Sequence, residues 1–288
     1  METITSIRAM RTWADRARTN GQRIAFVPTM GFLHAGHLSL VAEARRHADQ
    51  VVASIFVNPL QFGHNEDLDR YPRDIERDTK LLTDAGTDVL YLPLAAEMYP
   101  EGFQTSVNVE HVTQGLCGEK RPGHFRGVTT VVAKLFNAVH PHVAVFGEKD
   151  FQQLVALRRM VRDLDFDIEI IGGSIVREAD GLAMSSRNAY LAPADRTAAR
   201  CLSRALGVAE AAVQQGERSA AIVLDRVRTF IAGEPRARID YVTLSDPESL
   251  RPVERIAGPT LLALAVWFGS TRLIDNTMLG RAAAWGEG

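Results

Sequence analysis

Two histidines spaced three residues apart, His34 and His37, are the first side chains whose types and spacing suggest chemistry. They lie between an apolar run that predicts a strand and an amphipathic run that predicts a helix. The small residues between them let a ligand approach the backbone, and the helix N-terminus supplies N–H donors for an anion. A histidine can also donate to charge that develops on a transferring phosphoryl group. The turn therefore indicates a phosphate site, and the alternative is a capping histidine beside a surface one.

A second cluster, Gly147 to Asp150, follows another apolar run and opens a helix. Lys149 supplies a mobile positive charge that suits a triphosphate. Asp150 can cap the helix or accept a hydrogen bond from a ribose hydroxyl. The alternative interpretation of this cluster is a polar loop.

The third cluster combines the hydroxyls of Ser185 and Ser186 with the guanidinium of Arg187. A loop that carries neutral donors and a bidentate guanidinium can fold over phosphates, and a loop near a domain boundary can close on a ligand. The alternative is a serine-rich surface turn.

The fourth cluster is rich in amide and aromatic side chains rather than in charge. It contains Asn58, Gln61 and Phe62, then Tyr71, and the run from Arg121 to Gly127. Amides both donate and accept hydrogen bonds, so beside aromatic rings they suit a small hydroxylated organic acid. Solvated loop polarity is the alternative.

These clusters are attached to a pattern of short apolar runs that alternate with segments of helical period. The predicted strands are Ile24 to Pro28, Val51 to Val57, Val89 to Leu92, Val143 to Phe146 and Ile168 to Ile171. The predicted helices are Leu38 to Ala48, Asp74 to Ala85, Val128 to Val139 and Phe151 to Asp163. Nearly continuous apolar strands between helices predict a doubly wound, Rossmann-like α/β domain with a parallel sheet. In such sheets ligands bind beyond the carboxyl ends of the strands, where these clusters lie.

The pattern changes after residue 176. Helices are predicted over Pro193 to Gln215 and Ala220 to Ala232, followed by strands over Ile239 to Leu244, Leu261 to Phe268 and Arg272 to Asn276. Helices followed by strands predict a smaller α+β domain. The predicted domains are therefore residues 1–176 and 177–288.

Composition excludes several classes of protein. With 288 residues, 46% of them hydrophobic, the chain can bury a substantial core, which argues against disorder. The formal net charge of −2 gives no global attraction for nucleic acid or anionic membrane. The longest apolar run, Leu261 to Phe268, is far shorter than the ~20 residues of a membrane span. Two cysteines and no signal-peptide pattern predict a cytoplasmic protein with reduced thiols.

The sequence also lacks Gly-x-Gly-x-x-Gly, the P-loop motif, His-Glu-x-x-His and Gly-x-Ser-x-Gly. The missing motifs are those that usually identify dinucleotide oxidoreductases, P-loop enzymes, zincins and α/β-hydrolases, so these classes are disfavoured.

The His34 to His37 turn and the distant run Met184 to Arg187 resemble the paired signatures of the HIGH-type nucleotidyltransferase superfamily. The match becomes closer with further runs, which resemble the pantothenate synthetase family, also called pantoate:β-alanine ligase. Those runs are Pro28 to Gly31, Ile55 to Phe62, Arg121 to Gly127, Phe146 to Gln153 and Leu273 to Asn276. The resemblance covers nearly the whole chain.

The resemblance implies a ligation in two steps. The carboxylate of (R)-pantoate attacks the α-phosphate of ATP, giving pantoyl adenylate and pyrophosphate. The amine of β-alanine then attacks the acyl group, giving pantothenate and AMP. No nucleophile from the enzyme is required, so the protein positions groups and stabilises charge.

The resemblance also implies the site residues. The ATP site would comprise Met30, Gly31, Phe32, Leu33, His34, Ala35, Gly36, His37, Gly147, Glu148, Lys149, Asp150, Val176, Met184, Ser185, Ser186 and Arg187. Its catalytic set would be His34, His37, Lys149, Ser185, Ser186 and Arg187, with His37 as the acid. The pantoate site would comprise Thr29, Met30, Asn58, Gln61 and Gln153, and Gln61 would also contact β-alanine.

Mg²⁺ is expected to accompany ATP, because a clamp of this kind leaves much phosphate charge unneutralised. Some relatives carry adjacent acids after Tyr71, whereas this chain has Arg77 and Asp78. This departure disfavours a metal held by the protein, for which Asp78 is the one candidate ligand. The resemblance further implies that the C-terminal domain is a lid and that the protein is a homodimer.

Other functions stay open at this point. Another HIGH-type nucleotidylyltransferase would share the histidines but would need a second anion site, which the amide pocket of Gln61, Gln153 and Asn58 disfavours. A tRNA synthetase is disfavoured by length and by the absence of a basic face. An inactive nucleotide-binding regulator would not need the full polar set.

Overall fold

A computed structural model describes residues 1–63 and 66–280 of the chain. The last eight residues of the predicted C-terminal domain, 281–288, lie outside the described residues. The chain forms two compact units. The first unit comprises Met1–Glu148 and Gln152–Val176, and the second comprises Lys149–Phe151 together with the chain from Arg177 onward.

The first unit is built on a parallel sheet of six strands in the order β1-β4-β3-β2-β5-β6 among the described residues. The strands are β1 (Glu2–Ile4), β2 (Ile24–Thr29), β3 (Gln50–Ile55), β4 (Val89–Tyr91), β5 (Val143–Gly147) and β6 (Glu169–Gly173). The central strands are buried along almost their whole length, since helices cover both faces. The chain moves outward from β2 to β4 and then returns to β5 beside β2, so the topological switch point lies between β2 and β5.

The helices of the first unit are amphipathic and turn their apolar sides to the sheet. They are α1 (Ile7–Thr19), α2 (Ala35–His47), α3 (Ile75–Asp84), α4 (Ala95–Met98), α5 (Cys117–Lys120), α6 (His124–Val139) and α7 (Phe151–Asp163). Together with the strands they confirm the predicted α/β fold class.

Neither β1 nor α1 was predicted from the sequence. Strand β1 has three residues and begins with a charged one, which is too little for a periodic signal. Helix α1 did carry a signal, because Met10, Trp13, Ala14 and Ala17 recur at helical spacing and are all buried.

The second unit contains an antiparallel sheet in the order β7-β8-β9 with helices packed on it. The strands are β7 (Ala237–Ser245), β8 (Thr260–Phe268) and β9 (Thr271–Leu279), and the helices are α8 (Pro193–Ala198), α9 (Cys201–Gln214) and α10 (Ala220–Ala232). This arrangement confirms the predicted α+β character of the C-terminal part.

The prediction of one helix over Pro193 to Gln215 is wrong, because α8 ends before α9 begins. At the break the carbonyl of Thr197 accepts both the backbone N–H of Arg200 and its side-chain Nε, at 3.4 and 3.0 Å. This three-residue spacing replaces the four-residue spacing of an α-helix. None of the helices in the described ranges has the length and apolar character that crossing a bilayer requires.

Strand β2 depends on a neutral histidine, which predicts a pH effect. The backbone N–H of Ile24 donates to Nδ1 of His142 at 3.0 Å, so that nitrogen must be unprotonated. Burial, followed by the charges of Arg18 and Arg23, lowers the pKa of His142 below its usual value of about 6.5. Because the pKa of His142 is lower in the folded state than in the unfolded state, the stability that this histidine contributes is present above its unfolded-state pKa. That stability is lost as the pH falls through its folded-state pKa.

We therefore expect the urea midpoint of the wild type to fall more between pH 8 and pH 5 than that of His142→Gln, whose amide stays neutral. His111→Gln, at an exposed ring, is the control and should keep the wild-type pH slope. Equal slopes for wild type and His142→Gln would show that this histidine does not contribute.

Candidate functional site

The turn after β2 is a reciprocal helix cap made by the two histidines. Nδ1 of His34 accepts the backbone N–H of Gly36 at 3.2 Å, and Nδ1 of His37 accepts the backbone N–H of His34 at 3.3 Å. The ring centroids lie 4.1 Å apart. Because each Nδ1 accepts a backbone N–H, each neutral ring carries its proton on Nε2. The predicted pair is thus brought together, with both rings held in one tautomer as donors at Nε2.

The residues just before this cap adopt an unusual backbone. Gly31 has φ +85° and Phe32 has φ +50°, a region that side chains other than glycine rarely occupy. A Cβ on Gly31 would lie 2.9 Å from Cγ2 of Ile55. Thr29 supports the turn, because its hydroxyl donates to the carbonyl of Ser54 at 2.8 Å and accepts the N–H of Gly31 at 3.2 Å.

Asp78 in helix α3 forms hydrogen bonds with the backbone of this turn. Its two carboxylate oxygens accept the backbone N–H groups of Phe32 and Leu33, at 2.6 and 2.8 Å. Arg77 donates from Nη2 to the carbonyl of Leu33 at 2.9 Å. The Asp78 side chain is 0% exposed, and burial raises its pKa because the backbone donors and Arg77 offset only part of the desolvation. The sequence suggested a metal ligand here and missed this bracing contact.

Asp78→Asn should therefore destabilise the turn, because an amide can accept only one of the two N–H groups and places its NH₂ against the other. We expect a loss of about 1–3 kcal/mol in the free energy of unfolding, measured by urea titration. Asp84→Asn is the matched control on the same helix, since Asp84 is exposed and pairs with Lys80 at the surface. Its expected change is within about 0.5 kcal/mol. Equal losses in the two variants would contradict the bracing role.

The amide cluster lies at the carboxyl end of β3, next to β2 in the sheet. Asn58 and Gln61 are 1% and 9% exposed, and Nδ2 of Asn58 donates to Oε1 of Gln61 at 3.1 Å. Nε2 of Gln61 lies 3.0 Å from the sulfur of Met30. Four of the predicted pantoate residues are thus joined into one patch, which we call the pantoate patch: Thr29, Met30, Asn58 and Gln61.

The two glutamines of α7 differ in their surroundings. Gln152 is buried and spans a loop, because its Oε1 accepts the N–H of Cys117 at 2.9 Å and its Nε2 donates to the carbonyls of Val112 and Gly115. Gln153, the predicted pantoate residue, is half-buried. Gln152 therefore has a structural task, which leaves Gln153 as the glutamine available for a ligand.

A cluster of Arg121, His124 and Glu66, which sequence analysis did not connect, supports the main chain of Gln61. The carbonyl of Gln61 accepts Nδ1–H of His124 at 2.8 Å, while Nε2 of His124 accepts from Arg121 at 3.0 Å. Arg121 also pairs with Glu66 at 2.7 Å. Burial works to raise the pKa of Glu66, but the hydrogen bond and charge of Arg121 outweigh it and lower that pKa. These contacts join residues up to 63 positions apart, which no local motif could show.

Lys149 lies in a single turn of 3₁₀ helix, Glu148–Asp150, directly after β5 ends at Gly147. In the second unit its carbonyl accepts Nδ2 of Asn276 at 2.9 Å. The neighbouring Asp275, 2% exposed, receives a bidentate pair from Arg177 at 2.6 and 3.0 Å. The main chain of Lys149 is therefore anchored independently of its side chain.

The serine and arginine cluster begins the short 3₁₀ helix Ser186–Tyr190 in the second unit. Oγ of Ser185 caps this helix by accepting the N–H of Arg187 at 3.2 Å. Asn188 ties the turn to Glu178 and to the carbonyl of Ala183, at 2.7 and 3.1 Å. Met184 lies directly before this cap, and Ser186 is buried.

The predicted site residues are thus divided between the two units. Those in the first unit are Thr29 to His37, Asn58, Gln61, Gly147, Glu148, Gln153 and Val176, and those in the second are Lys149, Asp150 and Met184 to Arg187. Within the first unit, the turn after β2 and the end of β5 flank the topological switch point.

A parallel sheet whose switch point carries a histidine-capped helix and an amide patch defines an α/β enzyme that binds small ligands at the carboxyl edge of its sheet. The family model for Pantoate-beta-alanine ligase matches residues 2–278, so the chain belongs to the pantoate–β-alanine ligase family. It ligates pantoate and β-alanine.

Comparisons with known proteins agree with that membership. The pantothenate synthetase of Citrifermentans bemidjiense is 60% identical over 92% of this chain and 95% of the relative. That of Geobacter sulfurreducens is 58% identical over 97% of this chain and 99% of the relative. The crystal structure of pantothenate synthetase from Thermus thermophilus has a TM-score of 0.92 at 48% identity, covering 96% of this chain and 99% of that chain.

A pantoate-β-alanine ligase from Francisella tularensis, complexed with Beta-gamma ATP and β-alanine, has a TM-score of 0.78 at 30% identity. It covers 96% of this chain and 97% of that chain.

Proposed function

We propose that the first unit of this chain binds ATP and pantoate at the switch point between β2 and β5 and forms pantoyl adenylate there. The observation that carries this proposal is the reciprocal cap of His34 and His37. It presents two Nε2 donors at a helix N-terminus beside the pantoate patch. The Beta-gamma ATP and β-alanine bound by the Francisella tularensis relative support it.

In the first step, a carboxylate oxygen of pantoate forms a bond to the α-phosphorus of ATP, and the bond from that phosphorus to pyrophosphate breaks. Negative charge on the phosphoryl oxygens is met by hydrogen bonds from Nε2–H of His34 and His37. His37, which the resemblance implies as the acid, acts here as a hydrogen-bond donor, because a neutral ring that lost its Nε2 proton would become an imidazolate. We assign the remaining ATP contacts to the loop from Met30 to Leu33, the end of β5 at Gly147 and Glu148, and Val176.

In the second step, the amine of β-alanine forms an amide bond to the acyl carbon, the acyl–oxygen bond to AMP breaks, and the amine loses a proton to solvent. The pantoate site comprises Thr29, Met30, Asn58, Gln61 and Gln153, and Gln61 also contacts β-alanine. Lys149, Ser185, Ser186 and Arg187 stabilise the charged transition state, and Asp150 and Met184 complete the ATP site. That the C-terminal domain is a lid stays a prediction of the resemblance.

Mg²⁺ enters this proposal only as the ion that arrives with ATP. Within residues 1–63 and 66–280, no group of three or more His, Cys, Asp or Glu side chains is placed to hold a metal ion. Both oxygens of Asp78 already accept backbone N–H groups inside the fold. These residues do not fit a protein-held metal centre.

The homodimer and the cytoplasmic location stay predictions of the sequence and its resemblance. Light scattering on the purified protein tests the assembly, with a mass of twice 31.7 kDa expected.

The experiment that tests the reaction is a substrate-omission assay. Purified protein with ATP and Mg²⁺ should release AMP and form pantothenate only when pantoate and β-alanine are both supplied. AMP release that ignores β-alanine would contradict the ligase step, and a product that retains the nucleotide would indicate a nucleotidylyltransferase instead.

A further inference from the structure

A chain of hydrogen bonds runs from the half-buried Tyr99 to the pantoate patch. The hydroxyl of Tyr99 donates to Oδ1 of Asn58 at 2.7 Å, and Nδ2 of Asn58 donates to Oε1 of Gln61 at 3.1 Å. Tyr99 follows helix α4, 41 residues beyond Asn58, and sequence analysis did not select it. The chain therefore links a side chain outside the predicted site to one inside it.

Two backbone groups fix the polarity of this chain. The N–H of Leu60 donates to Oδ1 of Asn58 at 3.3 Å, and the carbonyl of Gly127 accepts from Nδ2 at 3.0 Å. An N–H can only donate and a carbonyl can only accept, so the Asn58 amide has one orientation. The hydroxyl of Tyr99 must then act as the donor to Oδ1. Burial raises the pKa of Tyr99, which keeps that hydroxyl protonated.

The same logic fixes the amide of Gln61. Its Oε1 is the acceptor for Asn58, so the group left to meet a ligand is the Nε2 donor. That donor lies against the thioether of Met30, which is a weak acceptor. A carboxylate or hydroxyl oxygen is a much stronger acceptor. A substrate oxygen that takes the place of the sulfur therefore gains a strong hydrogen bond, and only the weak contact with the thioether is lost.

We propose that Tyr99 is a positioning residue for pantoate, because it holds Asn58 so that Gln61 presents an N–H donor to an acceptor oxygen of the substrate. This inference rests on the proposed role of Gln61 in pantoate binding. The ring of Tyr99 also packs against Phe56 and Phe103, with centroids 6.2 and 5.1 Å apart. Those ring contacts are kept when only the hydroxyl is removed.

Tyr99→Phe tests the proposal in the full-length enzyme. We expect the KM for pantoate to rise roughly three- to tenfold, the range set by losing one buried hydrogen bond. The KM for ATP and kcat should stay within about twofold, since the variant changes ground-state and transition-state binding alike. The matched control is Tyr91→Phe, because the hydroxyl of Tyr91 is buried and makes no hydrogen bond within the described part of the chain. The control should leave all three constants unchanged.

A double-mutant cycle with Gln61→Ala separates positioning from a general structural effect. If Tyr99 acts through Gln61, Tyr99→Phe should raise the pantoate KM in the wild-type background and leave it unchanged in the Gln61→Ala background. An equal rise in both backgrounds, or no rise in the wild type, would overturn the inference. If Gln61→Ala itself leaves the pantoate KM unchanged, the proposed pantoate site is wrong, which is a separate outcome.

Discussion

We expect Lys149→Ala to lower the rate of pantoyl adenylate formation by about 10²- to 10³-fold, the cost of removing one donor that stabilises transition-state charge. The lysine is the second residue after β5, whose end flanks the switch point where phosphates are expected. The main chain of Lys149 is anchored through its carbonyl by Asn276. Truncating the side chain thus removes the ammonium without releasing the turn.

Single-turnover quench experiments with excess enzyme over labelled ATP measure this step apart from product release. Thermal unfolding should show a melting temperature close to that of the wild type. Lys80→Ala is the control, because it removes an exposed lysine whose partner is Asp84 and should leave the rate unchanged. A near-normal single-turnover rate for Lys149→Ala would exclude this lysine from the mechanism.

The sheet of the first unit could be predicted because its information is local. Runs such as Ile24 to Pro28 and Val143 to Phe146 are continuously apolar, and parallel strands buried on both faces require that pattern. The turn from His34 to His37 could also be predicted, since the strand, the cap and the helix lie within one short stretch. In both cases the sequence neighbours are also the structural neighbours.

The contacts that support the site could not be predicted in the same way. Asp78 lies 46 positions from Phe32, and Asn276 lies 127 positions from Lys149. A lone carboxylate or amide has many possible partners, and only the tertiary fold selects one. The break between α8 and α9 has a similar origin, because Arg200 and Thr197 sit in a stretch with good helix propensity and the competing bond involves a side chain.

Gly127→Ala is the second variant with a large expected effect, and it acts on the pantoate patch through the backbone. Gly127 lies in helix α6, and a Cβ there would be 2.2 Å from the carbonyl oxygen of Leu60 and 2.7 Å from the N of Gln61. Neither atom belongs to a flexible side chain, so the main chain must move. The carbonyl of Gly127 also accepts from Asn58, so the displacement reaches the amide pair directly.

We expect Gly127→Ala to lower kcat/KM for pantoate by about 10²-fold, because a shift of order 1 Å in a positioning group is enough for such a loss. Overpacking should also lower the free energy of unfolding by about 1–3 kcal/mol. Gly207→Ala is the matched control in helix α9, since that glycine is exposed and a Cβ there meets nothing within 4 Å. It should keep full activity and gain about 0.5–1 kcal/mol of stability from higher helix propensity. A wild-type kcat/KM in Gly127→Ala would mean that Leu60 and Gln61 can move without disturbing the substrate. The close approach of Gly127 to their backbone would then not determine the geometry of the pantoate patch.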